Sequence, residues 1–105
     1  MINDNDFIWK NCIWNIKKNE INTQKHGVSF IEASTVFDDE DAVYIDDEEH
    51  SQYEKRFIVL GLSEETRLLI VCYCERESNS LTRIISAREA ERKEKELYGK
   101  RNRGK

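Results

Sequence analysis

The sequence contains no proline and only four glycines in 105 residues. That excludes a collagen-like, proline-rich or low-complexity chain. Cysteine is scarce: Cys12, Cys72 and Cys74. An odd count without a leader points to free thiols in a reducing compartment rather than a disulfide scaffold. No CxxC or matching histidine spacing accompanies them, so a zinc knuckle is not expected. Cys72 and Cys74 lie two apart in an expected strand, share a face and read as small buried hydrophobes. Long hydrophobic runs are also missing. The longest, Leu68 to Cys74, is far too short to cross a membrane. The N-terminus has no basic stretch followed by an apolar one, so no signal peptide is expected and the location reads as cytoplasmic.

What is present suffices for one domain with a modest core. Leu, Ile, Val and Phe make up about a quarter of the chain, above the level of roughly 20% below which chains tend to be disordered. Charged residues reach 36%, with a net charge of −4 that conceals a segregation. Asp38, Asp39, Glu40, Asp41, Asp46, Asp47, Glu48, Glu49 and Glu54 form a stretch free of Lys and Arg. The segment from Arg83 to Lys105 is instead rich in Arg and Lys. The pattern reads as two opposed surfaces, a solvated acidic one and a basic one able to hold a polyanion. The acidic run has neither the glycine nor the spacing of a calcium loop, so no metal or other cofactor is expected.

Local signals predict the elements. Residues 1–11 read as an irregular extension, although Phe7-Ile8-Trp9-Lys10 and Cys12-Ile13-Trp14-Asn15 echo each other. Cys12 to Trp14 reads as a short strand, and Asn15 as the cap of a surface helix stopped at Gly27. Ser29-Phe30-Ile31-Glu32 is a capping box opening a second helix, with Phe30, Ala33, Ser34 and Phe37 on one buried stripe. Strands are expected at 42–45, 55–62, 67–75 and 81–86, and their short connectors, including Glu77 to Ser80, favour an antiparallel meander. Ser86-Ala87-Arg88-Glu89 reads as another capping box, opening a helix to Tyr98 before Gly99. Glu89–Lys93 and Glu91–Lys95 would be i,i+4 pairs on that helix. The fold class is α+β: a small antiparallel sheet with an N-terminal helical hairpin and a C-terminal helix, in the order β-α-α-β-β-β-β-α.

Lys25-His26-Gly27-Val28-Ser29-Phe30, Glu32-Ala33 and Val36-Phe37-Asp38-Asp39 resemble the BrnT toxin family. The likeness continues through His50-Ser51, Glu54-Lys55-Arg56-Phe57, Gly61, Ser63, Arg67-Leu68-Leu69 and Arg76. Arg83-Ile84-Ile85-Ser86-Ala87-Arg88 is its strongest stretch, closed by Ala90, Arg92 and Tyr98, while Trp14, Lys18 and Asn22 fall at the family's spacing upstream. Cys12 stands where the family usually has Phe, and Asn15 where it has Asp. The resemblance covers residues 12–98, a toxin domain between the 1–11 extension and a basic 99–105 tail. It implies a RelE-like ribonuclease of a type II toxin–antitoxin system. The implied partner is BrnA, a ribbon-helix-helix antitoxin through which the complex would contact operator DNA.

RNA cleavage without metal needs a base for the 2′-hydroxyl, cations for the phosphorane and an acid for the leaving oxygen. His50 and Glu54 are the acid–base candidates, and Arg56, Arg76 and Arg83 the phosphate clamps. Arg67, Arg88, Arg92 and Lys95 are candidate RNA contacts, the last three as a stripe at i, i+4, i+7 on the final helix. The alternatives are strand-end arginines pairing with the acidic stretch, and a loop histidine facing solvent. His26 reads as a helix C-terminal cation and Tyr98 as core. Beside the ribonuclease stand two other readings: a decayed toxin that still binds antitoxin without catalysis, and a plain interaction domain.

Overall fold

The structure, a computed structural model, describes residues 3–76 and 80–102, with Arg76 described by its backbone alone. The expected 77–80 connector therefore lies mostly outside the described residues. The elements are β1 (Asp6–Trp9), β2 (Cys12–Asn15), α1 (Ile16–His26), α2 (Phe30–Ser34), β3 (Val43–Asp46), β4 (Phe57–Leu62), β5 (Leu68–Arg76), β6 (Leu81–Glu89) and α3 (Arg92–Asn102). Single 3-10 turns follow α2, at Thr35–Asp38, and β3, at Glu48–His50.

The helical hairpin forms where its local signals place it. The Asn15 side chain accepts the Lys18 N–H at 2.9 Å. Gly27 adopts φ 70°, and its N–H closes on the Thr23 carbonyl at 2.8 Å. Only half of the first capping box is made. Ser29 accepts the Glu32 N–H, but the Glu32 carboxylate turns away to Ser63 and Arg67. Asn22 is buried and ties α1 to the sheet, donating to the carbonyls of Val28 and Ala87 and accepting the Ala87 N–H.

The sheet has six strands in the order β1-β2-β6-β5-β4-β3. β3 to β6 are the expected antiparallel meander, but β2 pairs with β6 in parallel, so the sheet is mixed. The N-terminus also departs from the expectation of an irregular extension. The two echoing segments are the strands of a hairpin, with Phe7 opposite Trp14 and their rings 5.5 Å apart.

One sheet face packs on the helical hairpin through Trp14, Val28, Phe30, Val36, Val59, Leu69, Val71, Tyr73 and Ile84. Burial of such side chains stabilises by about 1.5–3 kcal/mol each. The other face is covered at one end by α3, where Leu97 and Tyr98 meet Val43, Leu60, Leu68, Ile70 and Ala90. The capping box expected at Ser86–Glu89 does not form, because β6 continues to Glu89 opposite Leu69. The helix start lies further on, where the Glu91 N–H donates to Glu94 Oε1 at 2.7 Å. Arg88 and Glu89 are therefore strand residues, and neither the expected basic stripe nor the Glu89–Lys93 pair exists on one helix. Nor are the acidic stretch and the basic end opposed. The Tyr98 hydroxyl donates to Asp39, and the Asn102 side chain to the Asp41 carbonyl, so α3 lies against the acidic segment.

Candidate active site

The sheet face turned away from α1 and α2 gathers His50, Arg56, Arg83 and Arg88 of the candidate residues. Residues opposite each other across a ladder share a face. Ser86 and Arg88 thus lie beside Cys72 and Ile70, and Arg83 beside Cys74. Ile58 joins from β4 opposite Cys72, and Arg56, two residues earlier, has the same parity. Arg83 reaches this face through a bulge. Cys72 pairs with Ser86 but Tyr73 pairs with Ile84, leaving Ile85 as the extra residue. In an unbroken strand Arg83 would share the parity of Ala87 and point into the core. Beside the β3–β4 loop this face holds a pocket of about 350 Å³, with Asp47, His50, Arg56, Cys72, Ser86 and Arg88 in its wall.

Asp47 organises the polar side of that pocket. Although it belongs to the acidic stretch expected to be solvated, it is buried. Its carboxylate meets His50 Nδ1 at 3.0 and 3.1 Å. With Nδ1–H donating, the neutral ring presents Nε2 as an acceptor, and the His50 side chain remains 58% exposed. The Cys72 thiol donates to Asp47 Oδ2 at 3.8 Å. Burial above all, and then the Asp47 charge, pushes this thiol upward, so it is a neutral wall of the pocket rather than a nucleophile. Cys72 is only partly buried, where Cys74 is buried as expected of both.

Arg56 Nε is a buried donor without a hydrogen-bond partner among the described residues. A buried unpaired donor is costly, and an anionic acceptor in the pocket would satisfy it. Arg88 lies in the same pocket but is held by Glu94 through two bonds of 2.9 and 2.7 Å. That pairing raises the Arg88 pKa and lowers that of Glu94.

The other candidates are engaged elsewhere. Arg83 is not a free phosphate clamp. Its Nη1 and Nη2 donate to Asp6 at 3.1 and 3.0 Å, and the Asp6 side chain is only 2% exposed. These bonds are the foremost cause of the raised Arg83 pKa, with Cys74 and the Glu54 charge adding to it. Glu54 is half-buried on the same loop as His50. Arg67 faces the helical side, where it binds Glu32, the Gly27 carbonyl and Glu89. Arg92 and Lys95 are exposed on α3, with Arg92 beside Glu96 at 3.4 Å. The Arg76 side chain lies outside the described residues. His26 ends α1 as expected. Among the described residues no group of three or more His, Cys, Asp or Glu is arranged to hold a metal ion. Sequence reasoning missed Asp47, one acid among nine, and Asp6, for which the echoing hairpin was the available signal.

The model of the ribonuclease toxin BrnT of type II toxin–antitoxin systems matches residues 14–94. The chain belongs to the BrnT family. No curated protein matches it. Membership makes it a ribonuclease toxin with RNA as substrate and an antitoxin as partner. The BrnT match contains Asp47, His50, Arg56, Arg88 and Glu94, and begins after β1, so Asp6 lies outside it. No helix among the described residues is long and apolar enough to cross a membrane.

Proposed function

We propose that this chain is an endoribonuclease that cleaves RNA without a metal ion, using His50 and Arg56 on the open sheet face. The observation that carries this reading is one pocket holding both the Asp47-bound His50 and the unpaired Arg56 Nε. The 2′-hydroxyl gives its proton to His50 Nε2 and attacks the adjacent phosphorus. The P–O5′ bond breaks, leaving a cyclic phosphate and a 5′-oxygen that takes up a proton. Glu54 is the candidate for that second transfer. Arg56 meets the charge that develops on the phosphorane, with Arg88 beside it. Arg83, bound to Asp6, supports the site from the neighbouring strand, and Arg92 and Lys95 offer exposed charge to the RNA backbone. The requirement for a 2′-hydroxyl makes DNA a non-substrate.

The meander over a helical hairpin supports a RelE-like assignment. The family supports neutralisation by a BrnA-like ribbon-helix-helix antitoxin, operator DNA being met only through that partner, and a cytoplasmic location. One observation favours a non-catalytic antitoxin-binding module instead: Arg83 and Arg88 are both occupied by carboxylates.

The deciding experiment incubates the purified, partner-free chain with RNA in EDTA. Cleavage is expected to persist, and to fall about a hundredfold or more in His50→Ala and by a similar factor in Arg56→Ala. Intact RNA with the wild type sinks the enzyme reading in favour of the binding module. Cleavage abolished by EDTA sinks the metal-free mechanism.

A further inference from the structure

We propose that Ser51 is a positioning residue that sets the spacing between the His50–Asp47 pair and Arg56, an inference that rests on the ribonuclease reading of that site. The loop carrying His50 is closed at its ends by the Asp47 N–H donating to the Arg56 carbonyl at 3.0 Å. Ser51 fills the closure. Its hydroxyl donates to the Asp47 carbonyl at 2.6 Å and accepts the Arg56 N–H at 3.0 Å. The His50 N–H reaches the same Asp47 carbonyl at 3.2 Å. One hydroxyl therefore holds both the residue whose carboxylate orients the imidazole and the residue that offers the unpaired guanidinium donor. Ser51 is not part of the pocket wall.

Residues 48–55 contribute nothing to either core cluster of the described residues. Burial does not fix the shape of this loop, and the hydrogen bonds at its base do. Loss of the hydroxyl leaves the Arg56 N–H without that acceptor and frees the Asp47 carbonyl on one side. The backbone bond from the Asp47 N–H to the Arg56 carbonyl then ties the two residues without the hydroxyl's support, and a misplacement of about 1 Å in a reacting group costs up to a hundredfold in rate.

The test compares Ser51→Ala and Ser51→Thr in the full chain by two measurements. The first is RNA cleavage, resolved into kcat and KM. The second is the proton resonance of His50 Nδ1–H, assigned by its loss in His50→Ala. Ser51→Ala is expected to lower kcat about ten- to a hundredfold with little change in KM, to leave the thermal midpoint near wild type, and to broaden or shift the Nδ1–H signal. Ser51→Thr, which keeps the hydroxyl, restores both readouts. A wild-type kcat and an unmoved Nδ1–H signal in Ser51→Ala overturn the proposal. If the wild type leaves RNA intact, the ribonuclease reading fails on its own, and the Nδ1–H signal still decides whether Ser51 positions His50.

Discussion

The Asp6 carboxylate shows how much one side chain carries here. It is almost fully enclosed, accepts two bonds from Arg83, and is held below its ordinary pKa by them against the opposing cost of burial. Removing one member of an enclosed pair leaves the other uncompensated. Asp6→Asn is expected to lower stability by about 3 kcal/mol in urea melts, while a double replacement of Asp6 and Arg83 by apolar residues recovers most of it. Glu32 gives a pH-dependent counterpart. The Arg67 hydrogen bond foremost, then Ser63, holds its carboxyl below the ordinary 4.5, against desolvation. A carboxyl with a depressed folded pKa stabilises the fold above its unfolded value and loses that contribution as the pH falls through the folded value. Glu32→Gln is therefore expected to cost about 2 kcal/mol at neutral pH. The gap to wild type should close progressively below about pH 4.5, read from denaturation at several pH values. The residues themselves were legible in the sequence, but their roles were not. Nothing in the sequence beside Arg67 or Arg83 marks the carboxylates that bind them, Glu32 and Asp6.

At the level of elements, local chemistry decides where helices begin and end unless a sheet competes. Gly27 ends α1 in the left-handed region, and a Cβ there meets no neighbouring atom within 4 Å. Gly27→Ala is thus expected to cost only the conformational penalty, about 1 kcal/mol by thermal or urea melting. Ser29 and Ser86 open the same sequence pattern and have opposite fates. Ser29 caps a helix because its neighbours have no strand to join. Ser86 to Glu89 extend β6 because β5 offers a ladder out to Leu69. Helix propensity over one turn is worth less than that pairing and burial. The bulge at Cys72 and Tyr73 is likewise a property of the pair of strands, with no signature in β6 alone.

For the whole molecule, the N-terminal hairpin is part of the domain rather than an appendage. β1 supplies Asp6 to Arg83 and lays Phe7 against Trp14. Deleting residues 1–10 is expected to destabilise the chain by more than Asp6→Asn does, about 4 kcal/mol or beyond. The deletion should act on the melting midpoint before any effect on the His50 loop, and circular dichroism melts beside RNA cleavage below the midpoint separate the two. Charge also rearranges at this scale. The acidic stretch and α3 meet through Asp39 and Tyr98, and Asp47 is drawn out of the run into the pocket. The sequence by itself determined the α+β class, the caps at Asn15 and Ser29, the stop at Gly27 and the meander, because each rests on local pattern, whereas the helix expected to open at Ser86 and stop at Gly99 instead runs from Arg92 to Asn102. It also held His50 and Asp47 three positions apart, but not the burial that makes Asp47 an orienting group. The tertiary structure alone decided which arginines stay available. Asp6 and Arg83 are separated by 77 positions. Their meeting depends on a parallel strand pairing and a bulge, and such register choices minimise the free energy of the whole sheet rather than of any one segment.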